Sequence, residues 1–426
     1  MARRSLTATT PARLRLLAAA LVLLSLAWGA LGGWTVSQHA SAASDVVHTE
    51  QPLTLAAQQM YESVSDADVT ATTMFLSGPE PPLAPLQQYR GDIAKAAADL
   101  TTLKAAAAGN QPLTAALSAF SAGLPAYTGY VAQAQTEYAL GYPLTGGSFM
   151  QVASEEAHVV LLPAAKTIYT LQDAALTAAS NQATALPPLI AAVVLAVITG
   201  FVLYAAQRWL TRRTHRIFNW GLLTASAALV ISVGWLAVTF SVARSDLVHG
   251  IGAGSSPAGT LAQASIDVQQ IRGDEILNLI SRSGSTSFKQ NFESVRDQIG
   301  PGPGTLLTVA ASSSTADAVD RVAAASTDAT AWYATNDHVY NLDLASAYAD
   351  ETRLVIGTGP GSSAPGFTQL ESDIRGAISD DLGTFQSSAT AGANAFGPLE
   401  AVVIAAALLM AGGCALGIGR RLREYQ

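Results

Sequence analysis

Residues 16–36, LLAAALVLLSLAWGALGGWTV, form an apolar run without a charged side chain, and the end of this run recurs later in the chain. Three pairs recur 201 residues later: Gly33-Trp34 as Gly234-Trp235, Ser44-Asp45 as Ser245-Asp246, and Val47-His48 as Val248-His249. The second copy also lies at the end of a long apolar run. The chain is therefore predicted to be one membrane unit written twice, in tandem duplication.

The composition is typical of a membrane protein. Half of the residues are hydrophobic and 13% are charged, compared with roughly a quarter charged in an ordinary globular protein. The apolar residues are concentrated in four blocks, at residues 16–36, 189–206, 217–243 and 399–419. Each block reaches or approaches the roughly 17 to 25 residues that a helix needs to cross a bilayer. The sequence predicts an all-α membrane protein with four transmembrane helices.

Three clusters of arginine residues flank these spans, and all three must lie on the same side of the membrane. They lie in the N-terminal residues 1–15, in the short segment 207–216 and in the tail 420–426. Because cytoplasmic flanks of spans retain Lys and Arg, these three segments are predicted to be cytoplasmic. Residues 37–188 and 244–398 then form two large extracytoplasmic domains of a multi-pass plasma-membrane protein.

The N-terminal apolar run also has features of a secretory signal. Ala40-Ser41-Ala42 resembles a signal-peptidase site, but the run is longer than the usual signal core of about 7 to 15 residues. We therefore expect the first span to be retained. The single cysteine, Cys414, lies in the fourth span, so the outer domains fold without an intrachain disulfide.

Helical periodicity predicts four helices in the first outer segment. The residues of its first apolar face follow helical spacing: Leu53, Met60, Val64, Ala67, Ala71 and Met74. Ser77-Gly78-Pro79 is expected to end this helix. The next helices are predicted at 86–108 and from Pro112 toward Tyr142-Pro143. Gly146-Gly147 is interpreted as a turn, after which Ser154 to Glu156 opens the last helix.

The second outer segment follows the same plan. Helices are predicted at 257–283, from 288 to 299 with an interruption at 301–304, and at 316–349. The turn at 357–366 precedes Phe367, much as Gly146-Gly147 precedes Phe149, so a last helix is expected after it. Each half is thus predicted to consist of a span, a sensor-like four-helix bundle and a second span. Prolines precede the second and fourth spans at Pro187, Pro188 and Pro398, the last after Gly397. These positions are interpreted either as hinges or as interfacial helix starts.

The sequence does not carry the residue patterns of an enzyme. Its six histidines include no pair at metal-ligand spacing, and no cysteine accompanies them. The Gly-x-Gly string at residues 300–304 lies in a Pro-rich turn and does not open a helix after a strand. We therefore predict no catalytic residues, no metal and no cofactor.

Polar and aromatic residues of the two bundles are the candidates for ligand or partner binding. Arg272, Asp274 and Glu275 cluster in one helix, and alignment of Ser77-Gly78 with Ser283-Gly284 sets Asp68 opposite Asp274. A structural salt bridge between Arg272 and Glu275 is the favoured interpretation, with a ligand contact as the alternative.

Aromatic residues recur in both bundles. Five of them are candidates for a pocket wall or a docking face: Tyr127, Tyr130, Trp332, Tyr333 and Tyr340. The alternative is that they lie where the bundle core meets water. On the cytoplasmic side, Arg208, Arg212, Arg213 and Arg216 are candidates for partner contact or for contact with anionic lipid headgroups.

The chain resembles actinobacterial four-span signalling proteins of the GlnX type in three features. These are the basic segment 208–216 followed by Ile217-Phe218-Asn219, the paired Ser-Asp strings and the Arg272–Glu275 cluster. The resemblance covers nearly the whole chain. It implies two partners, an extracytoplasmic solute-binding lipoprotein of the glutamine-binding type and a cytoplasmic serine/threonine protein kinase, protein kinase G. Each half also resembles the four-helix sensor bundle of chemotaxis receptors.

The resemblance implies a non-enzymatic signal transducer that relays amino-acid availability from the lipoprotein to the kinase. The alternatives are a permease-like transport subunit and a structural protein of the cell envelope. Nucleic acid is not an expected partner, and homo-oligomerisation and the ligand are left open.

Overall fold

The computed structural model describes residues 10–214, 219–281 and 286–423. The structure is 90% helical, and the described residues contain no β-strand. Four continuous helical stretches contain a window long and apolar enough to cross a membrane: Arg15–Leu76, Pro143–Arg212, Trp220–Ile280 and Ser363–Gly419. The predictions of an all-α chain and of four candidate spans are confirmed.

Fifteen α-helices are assigned within the described residues. In chain order they are α1 (Thr10–Asp45), α2 (Gln51–Leu76), α3 (Leu83–Ala106), α4 (Gln111–Ala139), α5 (Pro143–Glu156), α6 (Leu162–Ala183), α7 (Pro187–Thr214), α8 (Trp220–Gly250), α9 (Ser256–Ser281), α10 (Thr286–Ile299), α11 (Leu306–Ala311), α12 (Ala316–Leu344), α13 (Tyr348–Ile356), α14 (Ser363–Ala395) and α15 (Leu399–Arg423).

Three π-helical turns join consecutive helices without a break, at Val46–Glu50, Ala157–Leu161 and Ile251–Ser255. In each case a proline follows two residues after the turn, at Pro52, Pro163 and Pro257. A proline ring clashes with the carbonyl four residues earlier in a regular α-helix. A widened π turn accommodates this clash, so the helix continues through the proline.

The chain divides into two compact units. The first, here called the span unit, comprises Met1–Val47, Ala178–Val248 and Ser388–Gln426. The second, the head unit, comprises His48–Thr177 and His249–Ser387. The head unit therefore combines residues of both predicted outer segments. This grouping was not anticipated from the sequence, which suggested one bundle per segment.

The chain stays helical at all four points where it passes from one unit to the other, whereas an interruption inside the span unit precedes α7 and α15. The helix runs without a break from α1 into α2 and from α8 into α9. By contrast, α6 ends at Ala183 and α7 begins at Pro187, and residues 396–398 separate α14 from α15. Proline suits the first turn of a helix because its missing N–H has no partner there. The interruptions coincide with the predicted Pro187-Pro188 and Gly397-Pro398 positions.

Glycines allow α8 and α15 to approach closely in the span unit. A Cβ atom on Gly221 would lie 2.4 Å from the carbonyl oxygen of Gly413 and 2.6 Å from the Cα of Gly417. The Nδ2 of Asn219 donates to the carbonyl of Gly417 at 3.1 Å. Small residues spaced by four are a common means of close helix packing in membranes. Cys414, which follows Gly413 in α15, is buried.

We expect Gly221→Leu to destabilise the span unit because its side chain has no space beside Gly413 and Gly417. Overpacking of this kind costs about 1–3 kcal/mol. The measurement is the melting temperature of the full-length protein in detergent. Gly234→Leu is the matched control, since nothing lies within 4 Å of a Cβ on Gly234 in the same helix. Equal melting temperatures for the two variants would contradict the packing.

In the first half of the head unit, α2 buries the predicted apolar face. Met60, Val64, Ala67, Ala71 and Met74 are all fully buried. The helix ends at Leu76, and Gly78 adopts a φ of +122°, which glycine tolerates better than other residues. The helix end at Ser77-Gly78-Pro79 is thus confirmed.

The interpretation of Gly146-Gly147 as a turn is wrong. Both glycines are buried within α5, where a Cβ on Gly146 would lie 2.7 Å from the carbonyl oxygen of Ala134 in α4. The glycines therefore permit close helix packing, and the turn before α5 is formed at Gly141, with a φ of +91°. Consequently Ser154 lies inside an existing helix and does not open a new one.

The second half contains a break that the sequence did not indicate. The predicted helix 316–349 ends at Leu344, and α13 starts at Tyr348. Between them Ser346 adopts a positive φ of 55°, which is uncommon for a residue other than glycine. The predicted break at 357–366 is shorter than expected, because α14 already begins at Ser363 and accommodates Pro365 in its first turn.

One helix in each half buries an aromatic residue at the same position along its length. Both α4 and α12 contain 29 residues. Tyr127 and Trp332 each lie 16 positions after the first residue of their helix, at Gln111 and Ala316. Both side chains are almost completely buried. The two halves also share core residues, since Ile266 of α9 belongs to the apolar core of the first half.

Candidate functional site

A buried polar cluster surrounds Asp68 in α2, whose exposed fraction is 2%. The Ser154 hydroxyl donates to Oδ2 of Asp68 at 2.7 Å. The Nε2 of His158 lies 3.3 Å from the same oxygen. The second carboxylate oxygen, Oδ1, is buried without a partner among the described residues. This cluster joins α2 to the α5–α6 helix through one carboxylate.

The local helix geometry places Ser154 and His158 together because they are four residues apart and share a helical face. Burial lowers the pKa of His158, but its hydrogen bond with Asp68 and the charges of Asp68 and Asp274 raise it, and the net direction is upward. The imidazolium is thus the form that the cluster favours. The carboxylate lies between serine and histidine, whereas an activated serine nucleophile contacts its histidine directly.

The two aligned acidic positions are neighbours in space. A Cβ on Gly273 in α9 would lie 3.8 Å from Oδ2 of Asp68, and Asp274 contributes to the electrostatic environment of His158. The sequence alignment of Asp68 with Asp274 placed them at one level of two separate bundles. Instead, α2 and α9 meet at this level within one unit.

The predicted salt bridge between Arg272 and Glu275 is present and buried. The guanidinium also donates to the Ser363 hydroxyl at 3.0 Å and to the Val355 carbonyl at 2.9 Å. Ser363 donates to Glu275 at 3.1 Å and accepts from the indole N–H of Trp332 at 2.9 Å. We call these side chains the Arg272 network. It connects α9, α12 and the start of α14.

Carboxyl groups near this network have raised pKa values. Burial raises the pKa of Glu275, although Arg272 and Ser363 oppose this shift. Burial, followed by the charges of Asp343 and Glu275, raises the pKa of Glu351 to about 7. Glu351 is 1% exposed, and one of its carboxylate oxygens is buried without a partner among the described residues. Three further carboxyls of the head unit behave similarly, since burial raises the pKa of Asp92 and of Glu371 to about 7 and raises that of Glu62.

We expect the head unit to be more stable at pH 5 than at pH 8. The folded carboxyls of Asp92, Glu351 and Glu371 bind protons more tightly than the unfolded ones. Their contribution is complete below about pH 4, the ordinary carboxyl pKa, and is lost as the pH rises through about 7. His158, whose folded pKa is also raised, acts in the same direction. Melting followed by Trp332 fluorescence tests this, and a higher melting temperature at pH 8 would contradict it.

A groove with a volume of about 520 Å³ lies in the head unit and is lined by residues of both halves. Its polar and charged lining includes Gln58, Glu62, Lys95, Tyr169 and Arg375. The sequence did not indicate this groove, because its walls come from helices more than 300 positions apart. Arg375 in α14 pairs with Asp66 in α2 and, at 2.8 Å, with Glu371, which fixes one wall.

The aromatic candidates do not converge on one pocket. Tyr130 packs, partly buried, against the core of the first half, whereas Trp332 is buried in the second. Tyr340 is partly buried in α12. Tyr333 lines a separate cavity of about 550 Å³ together with residues of the Pro301–Gly304 turn. Their roles in ligand or partner binding stay predictions.

The segment predicted as the basic cytoplasmic loop is helical as far as Thr214, since α7 continues beyond the apolar run. Arg208 and Arg212 are exposed and, four residues apart, share one helical face. Arg208 also donates to the hydroxyl of Tyr204 at 3.3 Å. The side chain of Arg213 and the whole of Arg216 lie outside the described residues.

Comparison with known proteins gives one match. Residues 42–181 match a family model described as an actinobacterial sensor domain. This match supports a sensing role. The matched segment contains Asp68, Ser154, His158 and one wall of the groove. No curated protein and no solved structure matches the chain.

Proposed function

We propose that this protein is a non-enzymatic plasma-membrane transducer. It relays extracytoplasmic amino-acid availability, received from a solute-binding lipoprotein docked on the head unit, to a cytoplasmic serine/threonine kinase. The observation that carries the proposal is the sensor-domain match over residues 42–181. The match starts within α1 and includes α2, so it covers a helix that is continuous with an apolar span.

Helix continuity supplies the route for the signal. Because α1 continues into α2 and α8 into α9, a displacement of α2 against α9 is passed along unbroken backbone. The interruptions before α7 and α15 allow these two spans to adjust independently. A coupling free energy of about 1–3 kcal/mol between lipoprotein docking and kinase binding is sufficient for such a switch.

The cytoplasmic surface between the second and third spans is short and basic, so the signal has to reach a separate protein. Arg208 and Arg212 extend from the last turns of α7, where they are available to an acidic partner surface. These arginines could instead contact lipid headgroups. The two roles can be distinguished experimentally, because contact with lipid does not depend on the state of the head unit.

We expect replacement of Arg212, Arg213 and Arg216 by glutamine to abolish kinase recruitment while the lipoprotein is still bound. The measurement is co-purification after crosslinking in intact membranes, with both partners quantified. Arg353→Gln is the control, since Arg353 is a mostly exposed arginine of the head unit. Unchanged kinase recruitment would contradict the proposal. Recovery of a transport ATPase or of cell-wall enzymes instead would favour the permease-like or the structural alternative.

A further inference from the structure

We propose that the groove of the head unit binds the ammonium group of a small alkylamine, with the Glu62 carboxylate and the Gln58 side-chain carbonyl as its acceptors. This binding site is additional to the relay function, which stands whether or not the groove is occupied. The size of the groove, its two unpaired acceptors and its charge all fit such a ligand.

The groove has the size and lining of a small-molecule site. Its volume of about 520 Å³ lies within the range of roughly 300–1,000 Å³ that is usual for such sites. Its apolar lining is contributed by Leu55, Leu176, Ile378, Leu382 and Phe385. A short hydrocarbon chain can pack against these side chains. Gly259 leaves room for the hydroxyl of Tyr169, which would lie 2.7 Å from a Cβ at that position.

Two acceptor atoms in this lining have no donor. Gln58 is 5% exposed, and its Nε2 donates to Oε1 of Glu62 at 2.9 Å. This bond orients the side-chain amide and leaves Oε1 of Gln58 and Oε2 of Glu62 without a hydrogen bond to any described residue. Both oxygens keep access to solvent, so they can accept hydrogen bonds from a ligand in the groove. A ligand that donates N–H groups satisfies both.

The charge balance also favours a cation. The groove and the groups bonded to its lining contain three carboxylates, Glu62, Asp66 and Glu371, against two cations, Lys95 and Arg375. Arg375 pairs with both Asp66 and Glu371. Lys95 is exposed and forms no ion pair with the described carboxylates. The charges of Arg375 and Lys95 act on Glu62, but Glu62 forms no close ion pair with a described cation, and an ammonium ion supplies one.

Two classes of ligand carry such an ammonium group, namely simple amines and free α-amino acids. In an amino acid the carboxylate would be placed toward Lys95 at the same groove. Norvaline is butylamine with this carboxylate added to the carbon that carries the ammonium group. Valerate carries a carboxylate and the four-carbon chain without the ammonium group.

The test is titration calorimetry of the full-length protein in detergent with these three compounds. Butylamine is expected to bind and valerate is not. Tighter binding of norvaline than of butylamine assigns the site to amino acids, and weaker binding assigns it to simple amines. Absence of butylamine binding, or valerate binding of equal strength, would overturn the proposal.

Variants test the named acceptors. Glu62→Gln is expected to weaken butylamine binding about tenfold or more, because a charge-assisted hydrogen bond is lost. Glu80→Gln, an exposed glutamate outside the groove lining, is expected to bind like the unaltered protein. Lys95→Met is expected to retain or strengthen butylamine binding. Unchanged affinity in Glu62→Gln, or loss of butylamine binding in Lys95→Met, would refute the assignment.

A labelling experiment keeps the proposal testable if Glu62→Gln does not fold. Carbodiimide modification of Glu62 in the unaltered protein, followed by mass spectrometry, should be slowed by butylamine. Glu80 is the internal control and should be modified at an unchanged rate. Equal rates at Glu62 with and without butylamine would contradict the site.

Discussion

Arg272→Met is expected to destabilise the head unit by about 3–5 kcal/mol, the usual cost of removing one partner from a buried ion pair. The exposed fractions of Arg272 and Glu275 are 2% and 1%. Without the guanidinium, Glu275 and Glu351 remain as buried carboxyls, and the carbonyl of Val355 loses a donor. Denaturant unfolding measured by Trp332 fluorescence reports this loss, because Trp332 is the only tryptophan of the head unit.

The double variant Arg272→Met with Glu275→Leu distinguishes the effect of leaving a buried charge unpaired from the effect of losing side-chain packing. Replacing a whole buried ion pair by apolar residues is often neutral or stabilising, so the double variant is expected to recover most of the lost stability. Arg353→Met is the matched control, because Arg353 pairs with Asp350 on the exposed surface and such pairs contribute little. A double variant no more stable than Arg272→Met, or an equal loss in the control, would contradict this description.

Thr49→Pro is expected to abolish the proposed relay between lipoprotein and kinase. Thr49 lies in the π turn that joins α1 to α2, and a proline there removes a backbone hydrogen bond and breaks the helix, at a cost of about 3 kcal/mol or more. The readout is kinase recruitment with and without the lipoprotein. We expect recruitment that no longer responds to it.

Leu186→Pro is the control for this experiment because residue 186 already lies in the break between α6 and α7. This variant is expected to respond to the lipoprotein like the unaltered protein. A lipoprotein response retained in Thr49→Pro would show that α1–α2 continuity does not carry the signal. The head-unit melting temperature of both variants verifies that the head unit is folded.

The sequence predicted those features that depend on local pattern. Apolar length identified the four spans, and helical spacing identified the buried face from Met60 to Met74. The Arg272–Glu275 pair was also predictable, because residues three apart in a helix are neighbours. What the sequence did not reveal was that Ser363 and the Val355 carbonyl complete the coordination of this arginine.

The remaining features depend on contacts between distant segments. Gly146-Gly147 has the composition of a turn, but packing against Ala134 keeps it helical. The break at Ser346 has no glycine or proline to indicate it. Asp68 was recognised from its alignment with Asp274, whereas its partners Ser154 and His158 lie 86 or more positions away. The groove requires α2 and α14 to be adjacent, which only the tertiary structure establishes.

Cysteine accessibility in intact cells tests most directly whether both halves contribute to one sensing unit outside the membrane. With the buried Cys414 replaced by alanine, single cysteines are introduced at the exposed positions Ala132, Ala331 and Arg212. A membrane-impermeant maleimide is expected to label Ala132→Cys and Ala331→Cys in intact cells, and Arg212→Cys only after permeabilisation. Labelling of Ala132→Cys and Ala331→Cys from opposite sides of the membrane would contradict the account.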